Sequence, residues 1–218
     1  MIWNLFSTLQ AGSSCFSFLD LYIPLQYLDA IMIDSMIGKI SSYILKMWGW
    51  KKTGRLPSDK KFILVVAPHT SNWDYVIGML FCFSVGIKSR ILIKKELFWF
   101  PLGNLLKALG GIPVHRQQKT DIVEQIIREF NENESFILTI TPEGTRKRVS
   151  EWKTGFHRIA AGAGVPVLPG FLDYRKKVVG TGDFFMFTGN LETDMKIVKD
   201  YYREITPKYP ANFTTGNE

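Results

Sequence analysis

The chain contains 218 residues, 46% of them hydrophobic, which suits one well-buried domain rather than two large ones. Its formal net charge of +7 is compatible with nucleic acid, anionic lipid or a phosphorylated small molecule as the partner, and charge alone does not choose between them. Cys15 and Cys82 are the only cysteines, and neither belongs to a CxxC or Cys/His cluster. We therefore expect two unreactive thiols in a reducing compartment, without a disulfide framework or a structural zinc site.

The N-terminal region predicts a helix that could lie on a membrane rather than cross it. Residues Met1 to Leu19 are uncharged but rich in polar side chains, which disfavours a spanning helix, and they lack the basic start of a secretory signal. The stretch "SMIGKISSYILKMWGW", from Ser35 to Trp50, has apolar residues at helical spacing, with lysines beside them. The apolar stripe consists of Ile37, Ile40, Ile44, Met47 and Trp48, and the lysines are Lys39, Lys46, Lys51 and Lys52. This pattern fits a helix in a membrane interface or a helix packed on the protein's own core.

A polar connector, "TGRLPSDKK", precedes a change to alternating strands and helices. The predicted buried strands are "FILVVAP" (62–68), "RILIKK" (90–95), "SFILTITP" (135–142) and "VPVLPGFLDY" (165–174). The predicted helices are "YVIGMLFCFSVGI" (75–87), "DIVEQIIREFNEN" (121–133) and "DMKIVKDYYREI" (194–205), and "KVVGTGDFFMFTGNL" (177–191) predicts hairpin-like strands. This alternation predicts an α/β sheet with helices on its faces.

The stretch "PHTSNWD" places His69 and Asp74 directly behind the first buried strand. Ligands of α/β proteins commonly bind outside the carboxyl ends of the strands, so the position favours a site. Asp74 can return to His69 across one turn and orient it as a general base, while Ser71 or Asn72 caps the following helix. By itself this spacing is weak evidence, and it more often marks a loop histidine near an aspartate at a helix start.

Three further stretches carry basic residues at predicted strand ends. "TPEGTRKR", Thr141 to Arg148, combines a Pro/Gly turn with basic residues and suits a phosphate monoester. "GGIPVHR" places Arg116 after a short extended run, and "IKKELFWFPLG" supplies Lys94 and Lys95 beside an aromatic cluster. Taken singly, each stretch also fits an ordinary turn or a solvated surface charge.

Taken together and in this order, the HxxxxD, GIPVxR, PEGTR and VPVLP blocks resemble the glycerolipid acyltransferase superfamily, particularly bacterial 1-acyl-glycerol-3-phosphate acyltransferases. The resemblance runs from about Phe62 to Tyr174. It implies that His69 is the base, that Asp74 orients it and that Lys94 lies near the reaction centre. It implies an acceptor-phosphate site formed by Arg116, Glu143, Gly144, Thr145 and Arg146. The "VPVLPG" block matches the fourth motif, which has an acyl-donor or structural role. Pro68 and Thr141 depart from the usual Asn and Phe, which leaves the exact acceptor open.

The resemblance also implies an overall organisation and a reaction. The fold is expected to be a mixed, largely parallel sheet flanked by helices, with residues 1–52 as a helical membrane-docking segment and residues 53–218 as the catalytic domain. The expected reaction moves a fatty acyl group from acyl-CoA or acyl carrier protein to 1-acyl-glycerol-3-phosphate and gives phosphatidic acid, without a metal or other cofactor. No GxSxG elbow is present, which favours direct transfer over an acyl-enzyme. The expected location is peripheral or monotopic, on the cytoplasmic face of a membrane.

Three alternatives remain open at this point. The acceptor could be another lysophospholipid or a lyso-aminolipid without a phosphate monoester. Water could replace the acceptor hydroxyl, which would make the reaction ester hydrolysis. The protein could also be a non-catalytic basic protein that binds nucleic acid or an anionic membrane, although its basic residues are scattered over several loops rather than gathered on a recognition helix.

Overall fold

The computed structural model describes residues 25–54, 59–114 and 119–215. Within them lies a seven-stranded sheet with the order β1-β7-β6-β2-β5-β3-β4. Its strands are β1 (Lys51–Thr53), β2 (Lys61–Val66), β3 (Arg90–Lys94), β4 (Gly111–Val114), β5 (Phe136–Ile140), β6 (Val167–Asp173) and β7 (Val178–Thr181). Every neighbouring pair is parallel except β6 and β7, which run antiparallel. The prediction of a mixed, largely parallel α/β sheet is confirmed.

Helices cover both faces of this sheet. They are α1 (Leu25–Met47), α2 (Asn72–Ser84), α3 (Leu102–Ala108), α4 (Lys119–Glu132), α5 (Gly155–Ala163) and α6 (Leu191–Tyr202). The four predicted helical segments correspond to α1, α2, α4 and α6. The short helices α3 and α5 and the short strand β1 were not predicted, and β4 was predicted only as an extended run.

The central strand β2 divides the interior into two cores, because successive side chains of a strand point to opposite faces. Ile63 and Val65 pack in one core with Ile126, Phe130 and Phe156, which come from α4 and α5. Phe62 and Leu64 pack in the other core with Leu45, Ile77 and Phe81, which come from α1 and α2. Because both faces of β2 are buried, the strand reads in the sequence as the unbroken apolar run that predicted it.

The loops that carry the candidate motifs meet at one edge of the sheet. Strand β2 lies between β5 and β6, and β5 also pairs with β3, all in parallel. The chain segments that leave the carboxyl ends of these strands therefore emerge side by side. They bring the HxxxxD turn, the PEGTR loop and the loop after Lys94 into one neighbourhood.

Helix α1 has one face buried and another exposed. Ser41 and Leu45 are buried, and Leu45 packs in the same core as Ile77 and Phe81 of α2. Most of the predicted apolar stripe faces outward: the exposed fractions are 38% for Ile37, 51% for Ile40, 66% for Met47 and 44% for Trp48, while Ile44 is half-buried. The helix thus packs on the protein through one side and leaves an apolar stripe uncovered on another.

No helix among the described residues has the length and apolar character needed to cross a membrane. Residues 1–24, which include the uncharged N-terminal stretch, lie outside the described part of the chain. The predicted boundary after residue 52 falls within β1, which pairs with β7. The division into a docking segment and a catalytic domain stays a prediction.

Candidate active site

The turn between β2 and α2 is built around a capping box. Ser71 is the N-cap of α2, and its side chain accepts a hydrogen bond from the amide of Trp73 at 3.2 Å. In return, Oδ2 of Asp74 accepts the amides of Ser71 at 2.8 Å and Thr70 at 2.7 Å. These bonds satisfy amides that a helix start leaves without partners, so the "SNWD" sequence fixes where α2 begins. The same bonds hold the Asp74 carboxylate at the edge of the sheet.

His69 and Asp74 form a pair across this turn. Nδ1 of His69 lies 3.3 Å from Oδ2 of Asp74, and the Asp74 side chain is almost completely buried. Burial by itself would raise the pKa of Asp74, but the contacts with His69 and Tyr174 and the amide bonds outweigh it and lower the pKa. Asp74 is therefore ionised and can hold a proton on Nδ1 of His69. This arrangement leaves Nε2 as the nitrogen that can accept a proton from a substrate.

Tyr174 is a site residue that the sequence analysis did not predict. Its hydroxyl donates to Oδ1 of Asp74 at 2.6 Å, and it follows the last residue of β6. Asp74 and Tyr174 are 100 residues apart in the chain. The only available signal was that Tyr174 ends a predicted buried strand, which places it at a strand end like His69.

The Glu143 side chain accepts a hydrogen bond from the backbone of His69. Its Oε1 accepts the amide of His69 at 2.8 Å, and Oε2 has no hydrogen-bond partner within the described residues. Burial is the main cause that raises the pKa of Glu143, to about 7, against smaller opposing effects of backbone hydrogen bonds. The resemblance grouped Glu143 with the phosphate-binding residues. In the structure its carboxyl is buried and does not line the cavity, so its contact is with the HxxxxD turn.

A cavity of about 920 Å³ lies over this edge of the sheet. Its lining includes six of the predicted site residues: His69, Asp74, Lys94, Gly144, Thr145 and Arg146. Apolar side chains such as Phe81, Ile93 and Leu97 line it as well. The cavity therefore combines a histidine, cationic groups and apolar surface, which together suit a substrate with an anionic group and a hydrocarbon part.

The PEGTR loop makes a tight turn at Gly144, and its Arg146 lines the cavity. Gly144 has a φ of 62°, a left-handed conformation that favours glycine, and its amide donates to the carbonyl of Thr141 at 3.1 Å. The Lys153 side chain lies against Gly144 where a Cβ would stand. Arg146 is exposed, and so is Lys94, whose Nζ is 3.8 Å from Glu96. Arg116 lies in residues 115–118, outside the described part of the chain.

The fourth motif forms part of the sheet itself. Val167 to Gly170 of β6 pair with Ile63 to Val66 of β2. This pairing sets the position of β6 beside the HxxxxD turn, and it brings Tyr174 to Asp74.

The site holds a histidine against an ionised carboxylate, beside cationic groups at the carboxyl edge of an α/β sheet. This combination suits an enzyme that transfers a group to a hydroxyl by general-base catalysis. A family model described as Acyltransferase matches residues 51–172, which is more than half of the chain. The protein belongs to this acyltransferase family and is an acyltransferase.

The fold is similar to that of a solved structure, the 1-acyl-sn-glycerophosphate (LPA) acyltransferase PlsC from Thermotoga maritima. The two structures compare with a TM-score of 0.57 at 17% sequence identity, over 81% of each chain. Comparison with curated proteins returned no match.

The buried carboxyl of Glu143 predicts a pH-dependent stability. Its pKa is about 7 in the folded protein against an ordinary value of 4.5, so the folded state binds a proton that the unfolded state releases. The resulting stabilisation is fully present below pH 4.5 and is lost as the pH rises through about 7. Glu143→Gln keeps a carbonyl acceptor for the His69 amide and does not titrate. Relative to this variant, the wild type should lose up to about 3 kcal/mol of unfolding free energy over that range.

Urea unfolding of both proteins across this pH range measures the change. The comparison uses the change with pH, because the unpaired amide of Gln would add a constant difference. Glu204→Gln, which alters an exposed carboxyl, is the control. Parallel curves for wild type and Glu143→Gln would show that Glu143 does not titrate in this range.

Proposed function

We propose that this acyltransferase moves a fatty acyl group from an acyl thioester, acyl-CoA or acyl carrier protein, to the free hydroxyl of 1-acyl-glycerol-3-phosphate and so produces phosphatidic acid. The observation that carries the proposal is the His69–Asp74 pair at 3.3 Å in the same cavity as Arg146 and Lys94. The PlsC structure is described as an LPA acyltransferase, and its fold similarity is consistent with this substrate.

In the proposed reaction, Nε2 of His69 takes the proton of the acceptor hydroxyl while the hydroxyl oxygen attacks the thioester carbonyl. Asp74 stabilises the imidazolium that forms. Collapse of the tetrahedral intermediate breaks the carbon–sulfur bond, and the leaving thiolate recovers the proton from His69. The oxyanion needs a donor, for which Lys94 and backbone amides near the site are the candidates. No acyl-enzyme forms, because the attacking oxygen belongs to the acceptor.

The acceptor phosphate is proposed to bind at the PEGTR loop. Arg146 offers a planar pair of donors for a phosphate monoester, and the loop backbone at Gly144 and Thr145 lies beside it in the cavity lining. Holding the phosphate there raises the effective concentration of the hydroxyl at His69. Arg116 remains a predicted second contact. Acyl-CoA and acyl carrier protein carry the same reacting thioester, so this arrangement suits either donor.

Attachment to a membrane surface is part of the proposal, because both substrates carry long acyl chains. Two exposed apolar surfaces support it: the α1 stripe and the loop after β3, where Leu97, Trp99 and Phe100 are exposed, Phe100 by 82%. Leu97 also lines the cavity, so this loop lies at the substrate cavity. Lys39, Lys46, Lys94 and Lys107 are exposed beside these surfaces and can meet anionic head groups.

Acceptor profiling tests the proposed reaction. In separate reactions with acyl-CoA and with acyl carrier protein as the donor, purified protein receives 1-acyl-glycerol-3-phosphate, a lysophospholipid with a larger head group or a lyso-aminolipid, and mass spectrometry identifies the products. We expect phosphatidic acid as the main product. A main product from another acceptor would change the substrate assignment, free fatty acid would indicate hydrolysis, and no product with either donor would contradict the proposed reaction.

The phosphate contact predicts a selective effect of Arg146→Lys. An ammonium cannot reproduce the planar pair of donors, so the KM for the acceptor should rise by about tenfold while the KM for the donor stays nearly constant. Arg175→Lys changes an exposed arginine that does not line the cavity and should alter neither value. A rise confined to the donor KM would place Arg146 at the other substrate.

The α1 stripe predicts peripheral attachment that resists salt. Exposed charges are screened within about 10 Å at 0.1 M ionic strength, whereas a buried apolar face is not, so the protein should stay on anionic vesicles after a salt wash and leave with detergent. Replacing Ile37, Ile40 and Met47 with Ser should release the protein from vesicles and preserve much of its activity on detergent-dispersed substrate. Vesicle flotation measures the binding.

Ile37, Ile40 and Met47 are exposed, whereas Ile44 is half-buried and Trp48 contacts Trp73. Ile197→Ser, at a 49% exposed position on α6, is the matched control and should remain bound. A folded triple variant that still floats with vesicles would show that the stripe is not the anchor. An unfolded variant would show that the stripe belongs to the core.

A further inference from the structure

Asp74 is held by bonds to both of its carboxylate oxygens. Oδ2 accepts the amides of Thr70 and Ser71 and lies against Nδ1 of His69. Oδ1 accepts the hydroxyl of Tyr174 at 2.6 Å. Since the Asp74 side chain is only 2% exposed, water has little access to replace a lost donor. The plane of the carboxylate, and with it the direction offered to His69, therefore depends on Tyr174.

Tyr174 is itself fixed from several sides. Its amide donates to the carbonyl of Thr206 at 2.9 Å, and its ring meets the buried Trp50 edge-on with 5.1 Å between centroids. Burial, and then the bond to Asp74, raise the pKa of Tyr174 well above its ordinary value, so the phenol keeps the proton that it donates. Tyr174 does not line the cavity. A ring held this firmly, outside the cavity lining, has a geometry suited to acting on Asp74 rather than on a substrate.

We infer that Tyr174 is a positioning residue for the acyl-transfer reaction, whose hydroxyl holds the Asp74 carboxylate in the orientation that keeps the Nδ1 proton of His69 in place. The inference rests on the proposed function, because it assigns His69 the role of base. It adds a residue outside the four sequence motifs, contributed by the segment that follows β6. Without the hydroxyl, Oδ1 is buried with no donor among the described residues, and the carboxylate is free to turn away from His69.

The test removes only the hydroxyl. Tyr174→Phe keeps the ring against Trp50, and it should lower kcat by about tenfold, because the lost bond is a hydrogen bond to a charged group. Both KM values should stay unchanged. The acidic limb of the pH–rate profile should move to lower pH, since a carboxylate that has turned away from Nδ1 stabilises the protonated imidazole less. Tyr201→Phe, which alters another half-buried tyrosine without contact to His69 or Asp74, should change neither kcat nor the profile.

A double-mutant cycle separates action through Asp74 from a general structural effect. In the Asp74→Asn background, adding Tyr174→Phe should lower kcat by less than about twofold, because the partner of the hydroxyl has already been altered. Equal effects in the two backgrounds would overturn the inference. Unchanged kcat in Tyr174→Phe, or a change confined to KM, would overturn it as well.

A second variant keeps the test decisive if Tyr174→Phe fails to fold. A ring-fluorinated tyrosine at position 174 keeps the hydroxyl and makes it a stronger donor, so the acidic limb should move to lower pH. A limb that stays in place, or that moves upward, would overturn the inference. A wild type without any acyl transfer would overturn the proposed function and the inference with it, whereas an active wild type with an insensitive Tyr174 would overturn the inference alone.

Discussion

The site depends on the hydrogen bonds that the Asp74 carboxylate accepts and on its contact with His69. The carboxylate receives the amides of Thr70 and Ser71, the hydroxyl of Tyr174 and the imidazole of His69. The first two bonds start helix α2, the third connects the turn to the end of β6, and the fourth orients His69, the proposed base. One side chain thus serves the helix cap and the proposed catalytic pair. The two interpretations of the turn are compatible, and the helix N-terminus adds its own stabilisation of the negative charge.

The buried carboxyl groups of Asp74 and Glu143 both contact His69, and their pKa values shift in opposite directions. Asp74 has several donors, which outweigh its burial and lower its pKa, whereas Glu143 has one strong donor, and burial raises its pKa to about 7. Negative charge is therefore concentrated on the Nδ1 side of His69. On the backbone side, Glu143 acts chiefly as an acceptor for the His69 amide. This asymmetry suits a base that must hold one proton on Nδ1 and receive another on Nε2.

Local sequence predicted the parts of the fold whose environment is uniform along the segment. β2 and β6 are buried on both faces, β5 is buried on one face and half-buried on the other, and all three appear as apolar runs. Helix α4 shows its periodicity because only one side meets the core. Strand β1 was not predicted because its three residues are exposed, so they form no apolar pattern, and they pair with β7 through the backbone. Helix α3 was not predicted because it is short and contains Gly103, where a Cβ would stand 2.7 Å from the carbonyl oxygen of Phe98. This approach is set by the backbone path of the loop before α3, which no periodic sequence pattern marks.

The same distinction applies to the site. The HxxxxD spacing encodes a contact within one turn, so the pairing of His69 with Asp74 could be predicted. The bond between Glu143 and His69 joins residues 74 positions apart, and the bond between Tyr174 and Asp74 joins residues 100 positions apart. No local sequence pattern predicts contacts of this range. The most direct measurement of the central claim is the turnover of purified His69→Ala with acyl thioester and acceptor. Its kcat should fall by a factor on the order of a hundred or more, while its unfolding temperature and vesicle binding match the wild type. A folded His69→Ala protein with near-wild-type turnover would contradict the account.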